Sequence, residues 1–461
     1  MVITLIALIV FGAISSQYKA YKRKLDIIDV FILMSCLYFG IWPLIIAIID
    51  PGSYSSNSWL VIISTLIVII SLVILWLLNF VLSNSKGFQT YKRFVNLDAF
   101  IEKVRIIDNI KISVLVYSLV LFIVYGYLEY GITKAFLIIE LNQQGVSLPV
   151  WYLFIYSSIR FLIFSAVAVV SVKIISNKNY KRFHLFFLFM LTMLLSIIFG
   201  RASILTSLLL FLFLYIKINQ LHFFKINTIK NLLIVILLGY LALNIFQNAR
   251  SAFLSPYAYT SGQTADSILA EGLLNLSSEK LILPDKQLDS LINRPSISKF
   301  NVMILDWQLN QSKSDNIPYG SLFVNSVTMI IPRFIWKNKP ENNLQESYLF
   351  PMYGINYSKF QAPSLIGYAI ADFGIFSVFI MPLMLIGLIN LTLMAARIFY
   401  FNDASYIVLF LSILYSLFSI EVNYDSYIMN FRNAFFFASL FVLFGFIKKL
   451  LIVNNKTNQR L

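Results

Sequence analysis

The sequence predicts an all-α, polytopic integral membrane protein. It would have about eleven transmembrane helices and one large outer-face loop containing short interfacial helices. Three observations lead there. Of 461 residues, 59% are hydrophobic and 12% charged, with a mean hydropathy of +0.80; a soluble domain is about 45–50% apolar and about 25% charged. Apolar runs recur near the ~20 residues that a helix needs to cross a hydrocarbon core of ~30 Å. The basic residues fall in alternate connections between those runs. A soluble enzyme, a disordered chain, a disulfide scaffold and a collagen-like fibre are excluded. A single cysteine, Cys36, excludes intramolecular disulfides and cysteine metal clusters.

The runs fall at about 2–16, 28–49, 59–83, 110–128, 149–172, 184–199, 203–216, 231–246, 364–396, 405–420 and 431–447. The first lacks a basic n-region, which predicts a true span rather than a cleaved signal peptide. The stretch 364–396 is long enough to tilt or to carry an interfacial turn, and Pro382 inside it predicts a kink. Glycine is scarce, 17 of 461, so small-residue packing is not expected to dominate. The chain divides into N-terminal transmembrane helices (1–246, about eight), a large outer loop (247–362), C-terminal transmembrane helices (363–447, about three) and a cytoplasmic tail (448–461). No internal repeat or low-complexity tract interrupts this order.

Charge sets the orientation. With the N-terminus outside, the inner connections hold twenty-two Lys and Arg, and the short outer ones hold only Lys134 and Arg201. That asymmetry follows the positive-inside rule and predicts an inner C-terminus. It also accounts for the net charge of +15 without nucleic acid as a partner.

The loop 247–362 carries ten basic and nine acidic residues yet keeps apolar, helix-like patches at 267–276 and 300–309. Leu322–Trp336 is too short to cross and too apolar to sit in water, which predicts a helical element lying along or re-entering the outer leaflet.

Candidate chemistry clusters at the same face. Arg201 lies in a Gly-Arg-Ala-Ser turn between two short apolar runs. Arg250 follows the eighth run, Arg333 follows the interfacial stretch with Lys337 and Lys339 close behind, and Arg160 lies within the fifth run. An arginine at that depth is costly unless it faces a cavity or an anion, and guanidinium matches phosphate oxygens bidentately. Arg160, Arg201, Arg250 and Arg333 are therefore expected to converge on an anionic lipid headgroup. Glu341, Glu346, Asp372, Glu421 and Asp425 supply carboxylates at this face, and a positioned carboxylate suffices to accept a hydroxyl proton. Tyr348, Tyr353, Tyr357, Tyr368 and Tyr424 offer flat amphipathic surfaces suited to sugar rings, although tyrosines also collect at membrane interfaces. His184 and His222 fall on the inner side and serve no outer-face reaction. There is no HExxH, P-loop or GxGxxG signature. The spans carry almost no acid–base chain of the kind a proton-driven pump uses, and paired halves with matching broken helices are absent.

The layout, with one large outer loop late in the chain and a Gly-Arg turn two helices before it, resembles Wzy-type polysaccharide repeat-unit polymerases. The matching pieces are Gly200-Arg201-Ala202, Arg250 at the loop entry, Ile331-Pro332-Arg333-Phe334-Ile335-Trp336-Lys337-Asn338-Lys339-Pro340, and Ser364-Leu365-Ile366-Gly367-Tyr368 with Asp372-Phe373-Gly374. The likeness is close only over about 200–250 and 320–390. It implies a membrane glycosyltransferase at the outer face of a bacterial cytoplasmic membrane, acting on polyprenyl-diphosphate-linked oligosaccharides. Arg201, Arg250 and Arg333, with Arg160, would hold the diphosphate. Glu346 or Asp372 would act as base, and Lys337, Lys339, Tyr368 and Tyr424 would touch glycan. It implies no metal and no cofactor, and as partners the bilayer together with the flippase and chain-length regulator of the same pathway. Two alternatives stay open: a lipid-linked glycan ligase, against which the lack of an outer-face histidine counts, and a flippase of lipid-linked glycans.

Overall fold

A computed structural model describes residues 2–21, 26–49, 58–84, 96–106, 150–176, 201–219, 297–310, 320–331, 336, 364–418 and 424–458. The described residues are helical, with no strand among them. The apolar runs at 110–128, 184–199 and 231–246, and the patch 267–276, lie outside them.

The chain forms two compact units, residues 1–100 with 290–461, and residues 101–289. The 247–362 loop from residue 290 onward, about two thirds of it, therefore belongs to the same unit as the first and last helices.

In the first unit, α1 (Val2–Tyr21) packs on α2 (Ile27–Cys36). Asp26 and Asp29 form a reciprocal capping box at the start of α2, satisfying two orphan N–H groups. Close approach is made by glycines. A Cβ on Gly12 would overlap the Cys36 Sγ, and one on Gly40 would lie 3.0 Å from Ile9. The Cys36 thiol donates to the Leu8 carbonyl at 3.4 Å. Glycine is scarce overall, yet at this pair of helices it decides the packing. A π-turn, Leu37–Ile41, links α2 to α3 (Trp42–Ile49), with the Trp42 N–H bonded to the Leu37 carbonyl. Pro43 comes next and has no N–H to continue the i→i−4 ladder, so the helix widens by one residue and carries on.

α4 spans Ser58–Asn84, and α5 spans Leu97–Ile106. After the second unit comes α8 (Ile297–Asn310), which contains the predicted patch at 300–309 and packs on α4. α9 (Ser321–Thr328) is followed by a turn at Met329–Ile330. Within the predicted element Leu322–Trp336, residues 322–328 are helical and a turn follows, while 332–335 lie outside the described residues.

The expected 364–396 span is two helices, α10 (Leu365–Phe373) and α11 (Ser377–Ile398), joined by a 3-10 turn at Gly374–Phe376. The break falls at Gly374, whose φ of 56° is in the left-handed region that favours glycine. Helix α11 continues through Pro382, so the interruption lies eight residues before the proline.

α12 (Asp403–Phe418) is buried at every position from Ser405 to Phe418. A helix apolar all round belongs in a core, and α12 is the core of this unit, packed by α2, α11 and α13 (Tyr424–Asn458). Phe410 stacks on Phe100 at 4.7 Å between centroids. Side-chain-to-backbone bonds fasten α12 to α13: Ser405 Oγ donates to the Ala438 carbonyl at 2.7 Å, and Asn402 Nδ2 to the Phe441 carbonyl at 3.3 Å. Toward the other end, Asn430 Nδ2 donates to Ser416 Oγ at 2.9 Å. Interhelical hydrogen bonds of this kind recur in membrane bundles.

By length and composition, Ile27–Ile48, Trp59–Leu82, Leu365–Ile398 and Tyr424–Phe446 suit membrane spans. In the second unit, α6 (Val150–Ser176) packs on α7 (Arg201–Asn219), and Arg105 Nε donates to Ser176 Oγ at 3.1 Å. Large apolar side chains exposed along the described helices, Leu77, Leu383, Met394 and Phe444 among them, complete the picture of an all-helical membrane protein.

Candidate functional site

A short helix placed among apolar spans has a polar problem at each end. Its first N–H groups and last C=O groups have no intrahelical partner, and hydrocarbon offers none. In α9 neighbouring helices solve it. Gly320 precedes the helix at φ 79°, a left-handed turn for which glycine is suited, but glycine brings no capping side chain. Asp372 of α10 takes that place. Its Oδ1 accepts from Leu322 N–H and its Oδ2 from Phe323 N–H, both at 3.1 Å, and its carbonyl accepts from Gly320 N–H at 3.4 Å. A carboxylate at a helix N-terminus also complements the helix dipole.

At the other end, Arg432 of α13 donates through Nη1 to the Met329 carbonyl at 2.9 Å. Its Nε and Nη2 both reach Asn433 Oδ1, at 3.1 and 3.0 Å, which aims the guanidinium. Between the two ends, Ser326 Oγ donates to Asp425 Oδ1. Gln308 of α8 completes the set, because its Nε2 donates to the Ile370 carbonyl at 2.9 Å near the C-terminus of α10. Each short helix here is capped by side chains from another element. Asp372 lies seven residues into α10 and Arg432 eight into α13, about 10 and 12 Å along the axes at ~1.5 Å per residue. Helix α9 therefore docks beside the closing turn of α10 and the third turn of α13.

The predicted site residues distribute as follows. Asp372 is 1% exposed and both carboxylate oxygens accept backbone N–H bonds, so its evident task is to hold α9. Asp425, 7% exposed, holds Ser326. Tyr368 and Tyr424 do not offer flat faces to a sugar: they are 2% and 0% exposed. Their rings meet at 5.9 Å, and Phe323 of α9 lies edge-on to Tyr424 at 5.7 Å. The two rings face each other, and Tyr424 also meets α9. The Tyr424 and Tyr427 hydroxyls are buried and find no partner among the described residues. The same is true of the Asn301 amide on α8.

Arg160 lies in α6, and Arg201 is the first residue of α7, its packing neighbour. Arg250, Arg333, Lys337, Lys339 and Glu346 lie outside the described residues, so the convergence of the four arginines does too. No group of three metal-ligating side chains is found among the described residues.

Arg432 and Gln308 are the residues that sequence reasoning missed. The signal for Arg432 was present: an ionisable residue inside an apolar span is a site by default. It sits one residue past the start of the eleventh run, at 431.

Beneath α9 lies a cavity of about 330 Å³. Phe323 and Val327 of α9 and Ile330 of the turn after it wall the cavity, with Gly387 and Leu391 of α11, residues of α12, and Tyr427 and Phe431 of α13. The cavity is open on one side, and its lining is almost wholly apolar.

The fold and this site define a class, an all-helical membrane protein with a short helix clasped among its spans. Compared with models of protein families, with curated proteins and with solved structures, the chain finds no match in any of the three.

Proposed function

We propose that the protein is a membrane glycosyltransferase that polymerises polyprenyl-diphosphate-linked oligosaccharide repeat units. It works at the outer face of a bacterial cytoplasmic membrane, with its N-terminus outside and its C-terminus inside. One observation carries the reading. Asp372, in the Asp372-Phe373-Gly374 piece of the resemblance to Wzy-type polymerases, accepts from Leu322 and Phe323 of the short helix that precedes the Ile331–Pro340 piece, about 50 residues away in the chain.

In this mechanism the growing glycan passes from its lipid diphosphate to a sugar hydroxyl of the next lipid-linked unit. The glycosidic carbon–oxygen bond to the diphosphate breaks, a new one forms to the acceptor oxygen, and polyprenyl diphosphate leaves. Arg201, Arg250 and Arg333, assisted by Arg160, neutralise the charge that grows on the leaving diphosphate. The acceptor proton goes to Glu346. Asp372 is the weaker assignment for that role, since both its oxygens already accept hydrogen bonds. Lys337 and Lys339 touch the glycan. The bilayer keeps both lipid-bound reactants at high local concentration.

The test is reconstitution of the full chain in vesicles with purified lipid-linked repeat units. A ladder of products supports polymerisation, and Arg201→Ala should abolish it while the protein still inserts. A single transfer to another acceptor would indicate a ligase, and movement across the bilayer without transfer a flippase. A full ladder from Arg201→Ala would overturn the mechanism.

A further inference from the structure

We propose that the cavity beneath α9 is a binding site for the hydrocarbon tail of a membrane lipid. The proposal rests on the membrane placement of this unit, not on the polymerase reading, and the two can fail separately.

The first observation is Gly387. It lies in the interior of α11, where glycine is disfavoured relative to alanine. Gly12 and Gly40 are explained by close approach, but a Cβ built on Gly387 meets nothing within 4 Å. No neighbouring protein atom requires a glycine there. The space it leaves open is the cavity's own.

The second observation is the state of the polar groups in the wall. Ser412 Oγ donates to the Leu409 carbonyl at 2.7 Å, and Thr392 Oγ1 to the Leu388 carbonyl at 2.9 Å. Ser416 Oγ accepts from Asn430. An ordered water needs two to four polar partners, and the Tyr427 hydroxyl alone falls short of that. The cavity is therefore a poor host for ordered water.

The third observation is where the cavity opens. Val327, Ile330 and Leu391 in its wall are 41%, 40% and 46% exposed, and Gly387 is exposed as well. The mouth lies on the flank lined by Val327, Ile330 and Leu391. In a membrane the medium along that flank is itself hydrocarbon, so a lipid tail enters without crossing water. The volume accommodates about ten groups of the size of a water or a methylene, at ~30 Å³ each. The caps at the two ends of α9, Asp372 and Arg432, hold it in place as one wall of the slot.

Fatty acyl and isoprenoid tails share this chemistry, and the experiment separates them. The full chain is placed in phosphatidylcholine nanodiscs carrying a trace of phosphatidylcholine with a diazirine in one acyl chain. A parallel arm carries a diazirine-bearing polyprenyl phosphate. After illumination, adducts are mapped by peptide mass spectrometry. Adducts are expected at Val327, Ile330 and Leu391, and the arm that gives them identifies the tail. Gly387→Phe fills the slot and should cut those adducts roughly tenfold, about 1.4 kcal/mol of binding. Leu383→Phe enlarges an exposed residue of the same helix that does not line the cavity, and should leave them unchanged. Gly387→Leu and Gly387→Ala should give graded losses, and they retain the test if the phenylalanine variant folds poorly. Equal adducts in the Gly387 and Leu383 variants would mean ordinary boundary lipid. That result, or adducts from neither probe, overturns the proposal.

Discussion

Replacing Asp372 isolates what the caps of α9 are worth. In Asp372→Ala the N–H groups of Leu322 and Phe323 lose their acceptors at a site where Asp372 is 1% exposed. Each orphaned donor costs about 1–3 kcal/mol, so the pair is worth roughly 2–6 kcal/mol, less whatever water reaches them. At about 2 °C per kcal/mol for a body of this size, the midpoint of thermal unfolding in detergent should fall by ~4–12 °C. Asp372→Asn keeps the shape and one oxygen, and should lose about half as much. The two variants also separate two roles. If Asp372 positions α9, activity in reconstituted vesicles should follow the stability loss, with Asn partly active and Ala least. If it removes the acceptor proton, Asn should be inactive at unchanged stability. An Asp372→Ala protein that melts with the wild type would refute the capping argument outright.

Other expectations follow from the same packing. Cys36 is the single cysteine of the chain and is buried, so it should resist maleimide in the folded protein; Gly12→Val, which forces α1 off α2, should expose it and speed labelling many-fold. Phe410→Ala removes a fully buried ring and its stack on Phe100, which should cost about 3–5 kcal/mol, seen as a large fall in the unfolding midpoint; no change would mean that α12 is not the core. Arg432→Lys should not rescue Arg432→Leu, because one ammonium cannot reproduce a fork that holds both Asn433 Oδ1 and the Met329 carbonyl; equal melting of Lys and wild type would contradict this. A reporter fused to the C-terminus should be active only on the cytoplasmic side, and activity outside would reverse the orientation deduced from the basic residues.

The sequence by itself was sufficient for the class and the medium. An apolar run near twenty residues can bury its backbone in hydrocarbon only as a helix. Composition and run length therefore pointed to α4, α12 and α13, and the alternation of basic connections gave an expected orientation. The helix at 297–310 was also legible, from its apolar patch. Positions at which two elements meet were not. Periodicity cannot show that the helix at 364–396 breaks at Gly374 rather than bending at Pro382, because the break is held from outside, by the Gln308 bond to the Ile370 carbonyl near it. Nor can it show that Tyr368 and Tyr424 are covered. A tyrosine at a helix end reads the same whether it faces a sugar or a neighbouring helix, and only the packing of the helices decides. The carboxylate of Asp372 shows the same limit. Its chemistry as an acceptor was evident from its residue type, but its partner is set by a contact 50 residues away in the chain. Local pattern follows from the backbone's need for hydrogen bonds and the solvent it meets, whereas the pairing of one helix's orphan groups with another's side chains exists only once the helices are packed.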